Sequence, residues 1–303
     1  MSKYRASRSG APNFAYDLCV RRVTHQARRE LDLSAWQDAY NGAEPIRSET
    51  LAAFAEAFAG CGFSRDAFRP CYGLAEATLV VSAGHWGGDR NDPVSCGSTA
   101  VGTAVVIVDP ETRQPCPEGC AGEIWIRGAG VARGYWDLAD ETARTFGMRT
   151  ADGQGGFLRS GDVGYVHAGA LHVTGRLKDI LIVRGSKHFP QDLEHTAEGA
   201  HLSVRRGCVA AVSVSSGVEG DVIAILAELD PRCLAEFAEC APARDVALRI
   251  KAAICETHGV MPQVVALVPP GALPRTTSGK LQRFLCRDGW LARTLPVIEG
   301  ACA

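Results

Sequence analysis

Lysine is scarce in this chain: its 303 residues hold five lysines against 27 arginines. Long apolar runs are missing too. None approaches the roughly 18 residues of a membrane span, so no spanning helix is expected. Lys3, Arg5 and Arg8 are followed only by the short "NFAYDLCV", which contains Asp17, and this reads against a secretory signal. There is no basic block. Residues 1–178 carry 19 basic and 20 acidic side chains and residues 179–303 carry 13 and 14, which excludes a nucleic-acid footprint. Metal-ligand spacing is lacking: the twelve cysteines form no C-x-x-C pair, Cys116 and Cys120 have no histidine nearby, and no H-E-x-x-H occurs. Free thiols in a reducing cytosol fit this usage, so a cytoplasmic location is expected. Neither internal repeat nor low-complexity tract is present. "GAGVARG" (128–134) misses the dinucleotide fingerprint because its third glycine falls one position late. Gly279-Lys280 misses the Walker loop because Leu281 follows and Pro274 stands at the first position.

What remains is the composition of a globular protein, 46% hydrophobic and 22% charged, long enough for about two domains. Residues 1–40 read as irregular segments with a short helix or two. "YNGAEPI" (40–46) reads as a strand end turning into a loop. "SETLAAFAEAFAGCG" places Leu51, Phe54, Ala55 and Phe58 at helical spacing, with Ser48 as N-cap and Gly60 as stop. From about residue 95 to 176, short β-rich runs alternate with Gly, Pro and Asp turns, which predicts hairpins or a small barrel, one of them turning at "HAGA" (167–170). Beyond residue 180 the pattern is mixed. A helix entered through Pro190, strands at "CVAAVSVSS", "DVIAILAEL" and "QVVALVPP", and a helix with Val246, Ile250 and Ile254 on one face make a compact α+β unit.

Five segments carry side chains suited to chemistry, although each alone has a plain structural explanation. "NGAEP" (41–45) offers small residues where a planar ring could lie against backbone; alone it is a tight turn. "YGLAE" (72–76) offers an aromatic face and the carboxylate of Glu76, which a first helical turn would also favour. "SGD" (160–162) puts Asp162 in a glycine turn, able to accept two hydrogen bonds from a diol. "TGRLKD" (174–179) concentrates Arg176, Lys178 and Asp179 where the β-rich part gives way to the last unit. "PRTTSGK" (274–280) ends in Lys280, a compact ammonium on a loop, able to enter a phosphate site as a point charge.

In their order and separations these segments, with "GEIWIRG…ARGYW", resemble the adenylate-forming superfamily of acyl-CoA synthetases, peptide-synthetase adenylation domains and luciferases. "SGAPNFAYDLCVRR", "FRPCYGLAEATLVVS", "VSCG" and "RGSKHFPQDLE" are similar to the fatty-acyl-AMP ligase branch. The resemblance implies activation of a fatty acid with ATP, assisted by Mg²⁺, to an acyl-adenylate. It implies that Gly42, Ala43 and Glu44 line the adenine site, with Tyr72 and Gly73 against the base. Glu76 would hold Mg²⁺, Asp162 the ribose hydroxyls, and Arg176 ribose or phosphate. Lys178 would be a hinge, and Lys280 would reach the α-phosphate and the incoming carboxylate.

The family's Ser/Thr/Gly-rich phosphate loop has no counterpart in this sequence. The segment after "YGLAEAT" is short ("AGHWGGDRNDP"), and Ser160 stands where threonine is more usual. The expected fold is therefore α/β with a β-rich, barrel-like subdomain, followed by a small α+β domain: an adenylate-forming enzyme fold truncated at its N-terminal side. Residues 1–176 would be the end of the large AMP-binding domain and residues 177–303 a small mobile domain. The implied partners are a fatty acid, an acyl carrier protein or polyketide synthase, and a separate polypeptide carrying the missing half. Two alternatives stay open: half of a long-chain acyl-CoA ligase, and a non-catalytic remnant that binds a nucleotide or a protein.

Overall fold

The computed structural model describes residues 1–88, 93–215, 221–233, 240–277 and 279–298. The chain folds as two compact units, Met1–Leu177 and Lys178–Ala303.

The first unit begins with two crossovers. Strand β1 (Arg8–Ala11) leads through helices α1 (Asn13–Arg22) and α2 (His25–Arg29) to β2 (Asp38–Asn41). Helix α3 (Ser48–Phe58) then carries the chain to β3 (Phe68–Leu74), and the three strands are parallel. β4 (Leu79–Ala83) and β5 (Ser98–Thr99) add antiparallel to complete a sheet in the order β1-β2-β3-β4-β5. The apolar stripe predicted for α3 is what holds it down. Leu51, Phe54 and Phe58 are buried, and Phe54 meets Tyr16 and Phe63 edge-on at 5.1 and 5.0 Å and stacks on Phe58 at 4.4 Å. Replacing Phe54 by alanine would cost about 3–5 kcal/mol on that packing. The helix ends differ from expectation. Arg47 is the N-cap and Ser48 lies inside the helix, buried; a 3-10 turn (Ala59–Cys61) follows, and the chain leaves through left-handed Gly62, not Gly60.

The β-rich part is a four-stranded antiparallel meander: β6 (Thr103–Val108), β7 (Gly122–Gly128), β8 (Leu158–His167) and β9 (Ala170–Arg176). Helix α4 (Ala139–Thr145) sits between β7 and β8 in sequence. Among the described residues β6 and β9 do not pair, so the expected barrel does not close; it is an open sheet. "HAGA" does turn the β8–β9 hairpin, with Ala168 and Gly169 both left-handed. The two sheets of this unit meet where Cys96 N–H donates to Leu171 O (2.7 Å) and Leu171 N–H to Gly97 O (2.8 Å). Tyr72 and Val81 from one sheet share a core with Ile107, Ile124, Ile126 and Leu171 from the other.

In the second unit, the hairpin β10 (Leu181–Val183) and β11 (Ser186–His188) precedes α5 (Pro190–Ala200). β12 (Val204–Ser215) pairs antiparallel with β13 (Asp221–Leu229), and β13 pairs parallel with β14 (Val264–Val268) after the crossover helix α6 (Cys240–His258). Helix α7 (Arg283–Leu291) closes the unit. "DVIAILAEL" is apolar throughout because both faces of β13 are covered. Ile223 and Ile225 pack with Leu193, Val246, Ile250 and Ile254, while Ala224 and Leu226 pack with Leu273 and Cys286. Ser216 of the predicted strand "CVAAVSVSS", residues 89–92 of the short segment, and Ser278 of "PRTTSGK" lie outside the described residues. Among the described residues no helix is long and apolar enough to cross a membrane, and the ten cysteines whose side chains are described are free thiols.

Candidate active site

The first unit gathers its candidate residues beyond the carboxyl ends of the parallel strands β2 and β3, the edge where open α/β sheets place ligands. Gly42 follows β2 and packs against Cys71 of β3, next to Tyr72. Ala43 is exposed and left-handed (φ 66°). Glu44 turns back. Its Oε1 accepts the backbone N–H of Phe14 at 2.5 Å, satisfying a donor in the first turn of α1 that the helix itself cannot. The structure thus gives Glu44 a helix-capping contact.

The "YGLAE" run is the end of a strand, not the start of a helix. β3 stops at Leu74, and Ala75–Ala77 form a single 3-10 turn bearing Glu76. Gly73 is obligatory, because a Cβ there would lie 1.3 Å from the carbonyl oxygen of Leu79. The turn is tied to residues 130–135 by three bonds. Ala132 N–H donates to Glu76 O (2.8 Å), Thr78 Oγ1 to Gly130 O (2.5 Å), and Tyr135 hydroxyl to Glu76 Oε1 (2.8 Å). Glu76 Oε2 has no protein partner among the described residues. Burial, then the bond to Glu76, raises the Tyr135 phenol above its ordinary range and keeps it a donor.

Tyr72 is only 8% exposed, and its hydroxyl donates to Asp162 Oδ2 at 2.7 Å. Burial, and then the charge of Asp162, push this phenol well above its normal value, so it holds its proton. Asp162 is itself 7% exposed and accepts Arg176 Nε on Oδ1 at 3.0 Å across the β8–β9 pair. Burial pushes the Asp162 carboxyl up. The bonds from Tyr72 and Arg176 offset part of this, while the charge of Glu76, near enough to be felt, adds to it. The Arg176 side chain is 54% exposed, so the pair faces outward on one side.

"SGD" is a bulge inside strand β8. Pairing runs Glu123 with Val163 and Trp125 with Arg159, so Ile124 alone opposes Ser160, Gly161 and Asp162. Side chains satisfy the backbone that the bulge frees. Ser160 Oγ donates to Ile124 O (2.6 Å) and accepts Asp162 N–H (3.0 Å). Gly161, left-handed at φ 69°, donates its N–H to Glu123 Oε1 at 3.3 Å.

In the second unit, Lys178 is the first residue and is exposed. Lys280 is exposed on a tight hairpin. Thr276 N–H donates to Lys280 O (2.8 Å), Lys280 N–H to Thr276 Oγ1 (3.0 Å), and Arg275 Nη1 to Gly279 O (2.7 Å), while Arg275 Nη2 also reaches Gly207 O. Just beyond, Arg283 forks onto Glu194 (2.6 and 2.7 Å) and reaches Asp179 (3.3 Å), the residue after Lys178.

The structure therefore brings Gly42, Tyr72, Gly73, Glu76, Asp162 and Arg176 into one region of the first unit and turns Glu44 toward α1. Lys178 and Lys280 belong to the second unit. Tyr135, Glu123 and Arg159 were not foreseen. A glutamate inside the apolar run "GEIWIRG" was the available signal for Glu123, since a charge in a buried strand needs partners.

Residues 2–136 match the family described as AMP-binding enzyme, and residues 178–300 match the family described as Disco-interacting protein 2-like, AMP domain. The medium-chain-fatty-acid–[acyl-carrier-protein] ligase JamA of Moorena producens is 39% identical over 97% of this chain and 54% of its own length. The long-chain-fatty-acid–AMP ligase FadD26 of Mycobacterium marinum is 38% identical over 92% of this chain and 52% of its own. A solved structure from work on fatty acyl-adenylate ligases of E. coli and L. pneumophila superposes with a TM-score of 0.80 at 31% identity, covering 97% of this chain and 55% of that one. The chain spans about half the length of the curated relatives it matches. With the motifs in order and the fold shared, the chain belongs to the adenylate-forming superfamily, on its fatty-acyl-AMP ligase branch.

Proposed function

We propose that this chain supplies the base, ribose, metal and lysine contacts of a ligase that activates a fatty acid with ATP and passes the acyl group to an acyl carrier protein. A carboxylate oxygen of the fatty acid bonds to the α-phosphorus, the bond from that phosphorus to pyrophosphate breaks, and acyl-adenylate and pyrophosphate result. The observation that carries this reading is Asp162, a buried carboxylate held by Tyr72 and Arg176 with lone pairs left for a diol, beside the carboxyl end of β3. Gly42 and Ala43 provide a flat, side-chain-poor floor for the base. Tyr72, buried next to Cys71, is a fixed donor to Asp162.

Mg²⁺ fits the donor set in one way only. Among the described residues no cluster of three or more acidic, histidine or cysteine side chains could hold a metal. Glu76 offers one oxygen, Oε2, the other being occupied by Tyr135. That suits a cation that takes most of its ligands from phosphates and water. When bound, it supplies neutralisation of the phosphate charge. Lys280, as a point charge on a backbone-braced hairpin, would offset charge where the carboxylate meets the α-phosphate. The first unit would be the end of the large domain and the second the mobile small domain, turning about Lys178. Support for the carrier protein comes from the JamA relative, an acyl-carrier-protein ligase, and from the "RGSKHFPQDLE" run. The shortness of residues 83–93 favours CoA as the acceptor instead.

The phosphate clamp of such enzymes, a loop of backbone N–H donors, is not encoded in these residues. We propose that residues outside this sequence supply it. The test is fatty-acid-dependent exchange between ATP and pyrophosphate, run with the chain alone and with the chain mixed with the preceding half of the JamA ligase. Exchange only in the mixture is expected. A folded, associated mixture without exchange would overturn the reading, and robust exchange by the chain alone would overturn the need for a second half.

A further inference from the structure

Glu123 is 2% exposed and carries a carboxylate into the middle of an apolar strand. Four donors converge on it. Trp125 Nε1 reaches Oε2 at 2.9 Å, Arg159 gives Nε to the same oxygen at 3.0 Å and Nη2 at 2.9 Å, and Gly161 N–H reaches Oε1 at 3.3 Å. A salt bridge alone would not explain the last bond. Taking a carboxylate out of water is expensive and is offset only when its lone pairs are filled. Here one lone pair is filled by the bulge itself, at the residue before Asp162.

We propose that Glu123 is a positioning residue for nucleoside recognition: through Gly161 it fixes the β8 bulge, so that Asp162 presents its carboxylate to a ribose 2′,3′-diol. This rests on the reading of Asp162 given under the proposed function. The bulge is pinned at three consecutive residues. Ser160 is pinned by its hydroxyl on Ile124 O, Gly161 by Glu123, and Asp162 by its own N–H on Ser160 Oγ. The Asp162 side chain is then braced from both sides, by Tyr72 on one oxygen and Arg176 on the other. Gly161 is the one link whose partner is a side chain of the neighbouring strand. Without it the left-handed peptide has no fixed N–H, and the bulge that sets the direction of the carboxylate keeps only two of its three pins.

The experiment compares adenosine with 2′,3′-dideoxyadenosine by calorimetry on the full 303-residue chain. Two hydrogen bonds to a charged acceptor make the wild type bind adenosine about tenfold or more tightly than the dideoxy analogue. Glu123→Gln and, independently, Ser160→Ala are expected to bring that ratio to within about twofold while the weak affinity for the analogue is kept. Ile126→Val, in the same strand and fully buried, loses packing but is expected to keep the wild-type ratio. That control separates positioning from general weakening of the sheet. If Glu123→Gln does not fold, Ser160→Ala carries the comparison. A folded Glu123→Gln or Ser160→Ala chain that keeps the full ratio overturns the positioning role and leaves the reading of Asp162 intact. A wild type that does not distinguish the two nucleosides overturns that reading, and this inference with it.

Discussion

Arg283 offers a stringent test of how the second unit is held together. Its guanidinium lies against Glu194 through two parallel bonds, at 2.6 and 2.7 Å, and reaches Asp179 at 3.3 Å. Glu194 is buried and receives one other bond, from the N–H of Ala211 in β12 at 3.1 Å. Arg283→Ala would leave Glu194 charged, buried and short of two partners. Breaking such a pair costs roughly 3–5 kcal/mol. The Arg283 side chain is 23% exposed, so water can partly replace it, and we take the lower end, about 3 kcal/mol. For a unit of this size that corresponds to a fall of roughly 10 °C in melting temperature, or of about 2 M in the urea midpoint. Trp290, the sole tryptophan of residues 178–303, lies on the same helix. Its resonance in chains grown with 5-fluorotryptophan, assigned with Trp290→Phe, follows this unit alone by fluorine NMR. Arg283→Ala/Glu194→Gln should recover most of the loss, because the stranded charge is gone. A loss below about 1 kcal/mol, or a double variant no better than the single one, would refute the reasoning.

Three further expectations follow from the geometry. Gly73→Ala forces a Cβ onto the backbone carbonyl of Leu79, which no side-chain movement relieves, so the first unit should lose more than about 4 kcal/mol or fail to accumulate as folded protein, measured by urea titration. Burial raises the Asp162 carboxyl above its ordinary value, so the folded state holds the extra proton; stability from this group should rise as pH falls from that raised value toward the normal aspartate range, while adenosine affinity falls over the same interval, and Asp162→Asn should abolish both trends. Lys280→Ala, on an exposed hairpin held by backbone and Thr276 bonds, should leave stability within about 0.5 kcal/mol yet cut pyrophosphate exchange in the two-half mixture by roughly 10²-fold, and unchanged exchange would remove Lys280 from the proposed chemistry.

Local pattern made the second unit readable from its residues. "DVIAILAEL" is the whole of β13, the stretch entered through Pro190 is α5, and Val246, Ile250 and Ile254 all face the core, because period and turn chemistry are local properties. The β1 and β2 strands were harder to see. Each is four residues long, and a parallel pairing is set by a partner some thirty positions away. Barrel closure failed for the same reason: it depends on which edges meet, not on any one run. In the site, Asp162 could be singled out by its own residue type, but the setting around it could not. The bulge arises from a register shift against β7; of its pins, Glu123 lies 38 positions before Gly161, and Ser160 acts through its hydroxyl inside the motif. Tyr135 was hidden because a tyrosine in "ARGYW" gives no sign that its hydroxyl will cap a carboxylate 59 residues earlier.

The central strand β13, covered on both faces and bonded on both edges, has one further meaning, in kinetics. Its amides have no route to solvent through local fraying. Hydrogen exchange at Ile225 and Leu226, in the middle of the strand, can then proceed only when the whole second unit opens. Their exchange rate is a built-in gauge of that unit's free energy, readable in the uncut chain while the first unit stays folded or not. A binding partner that touches only the first unit should leave this gauge still, and one that grips the second unit should slow it tenfold for every 1.4 kcal/mol it contributes.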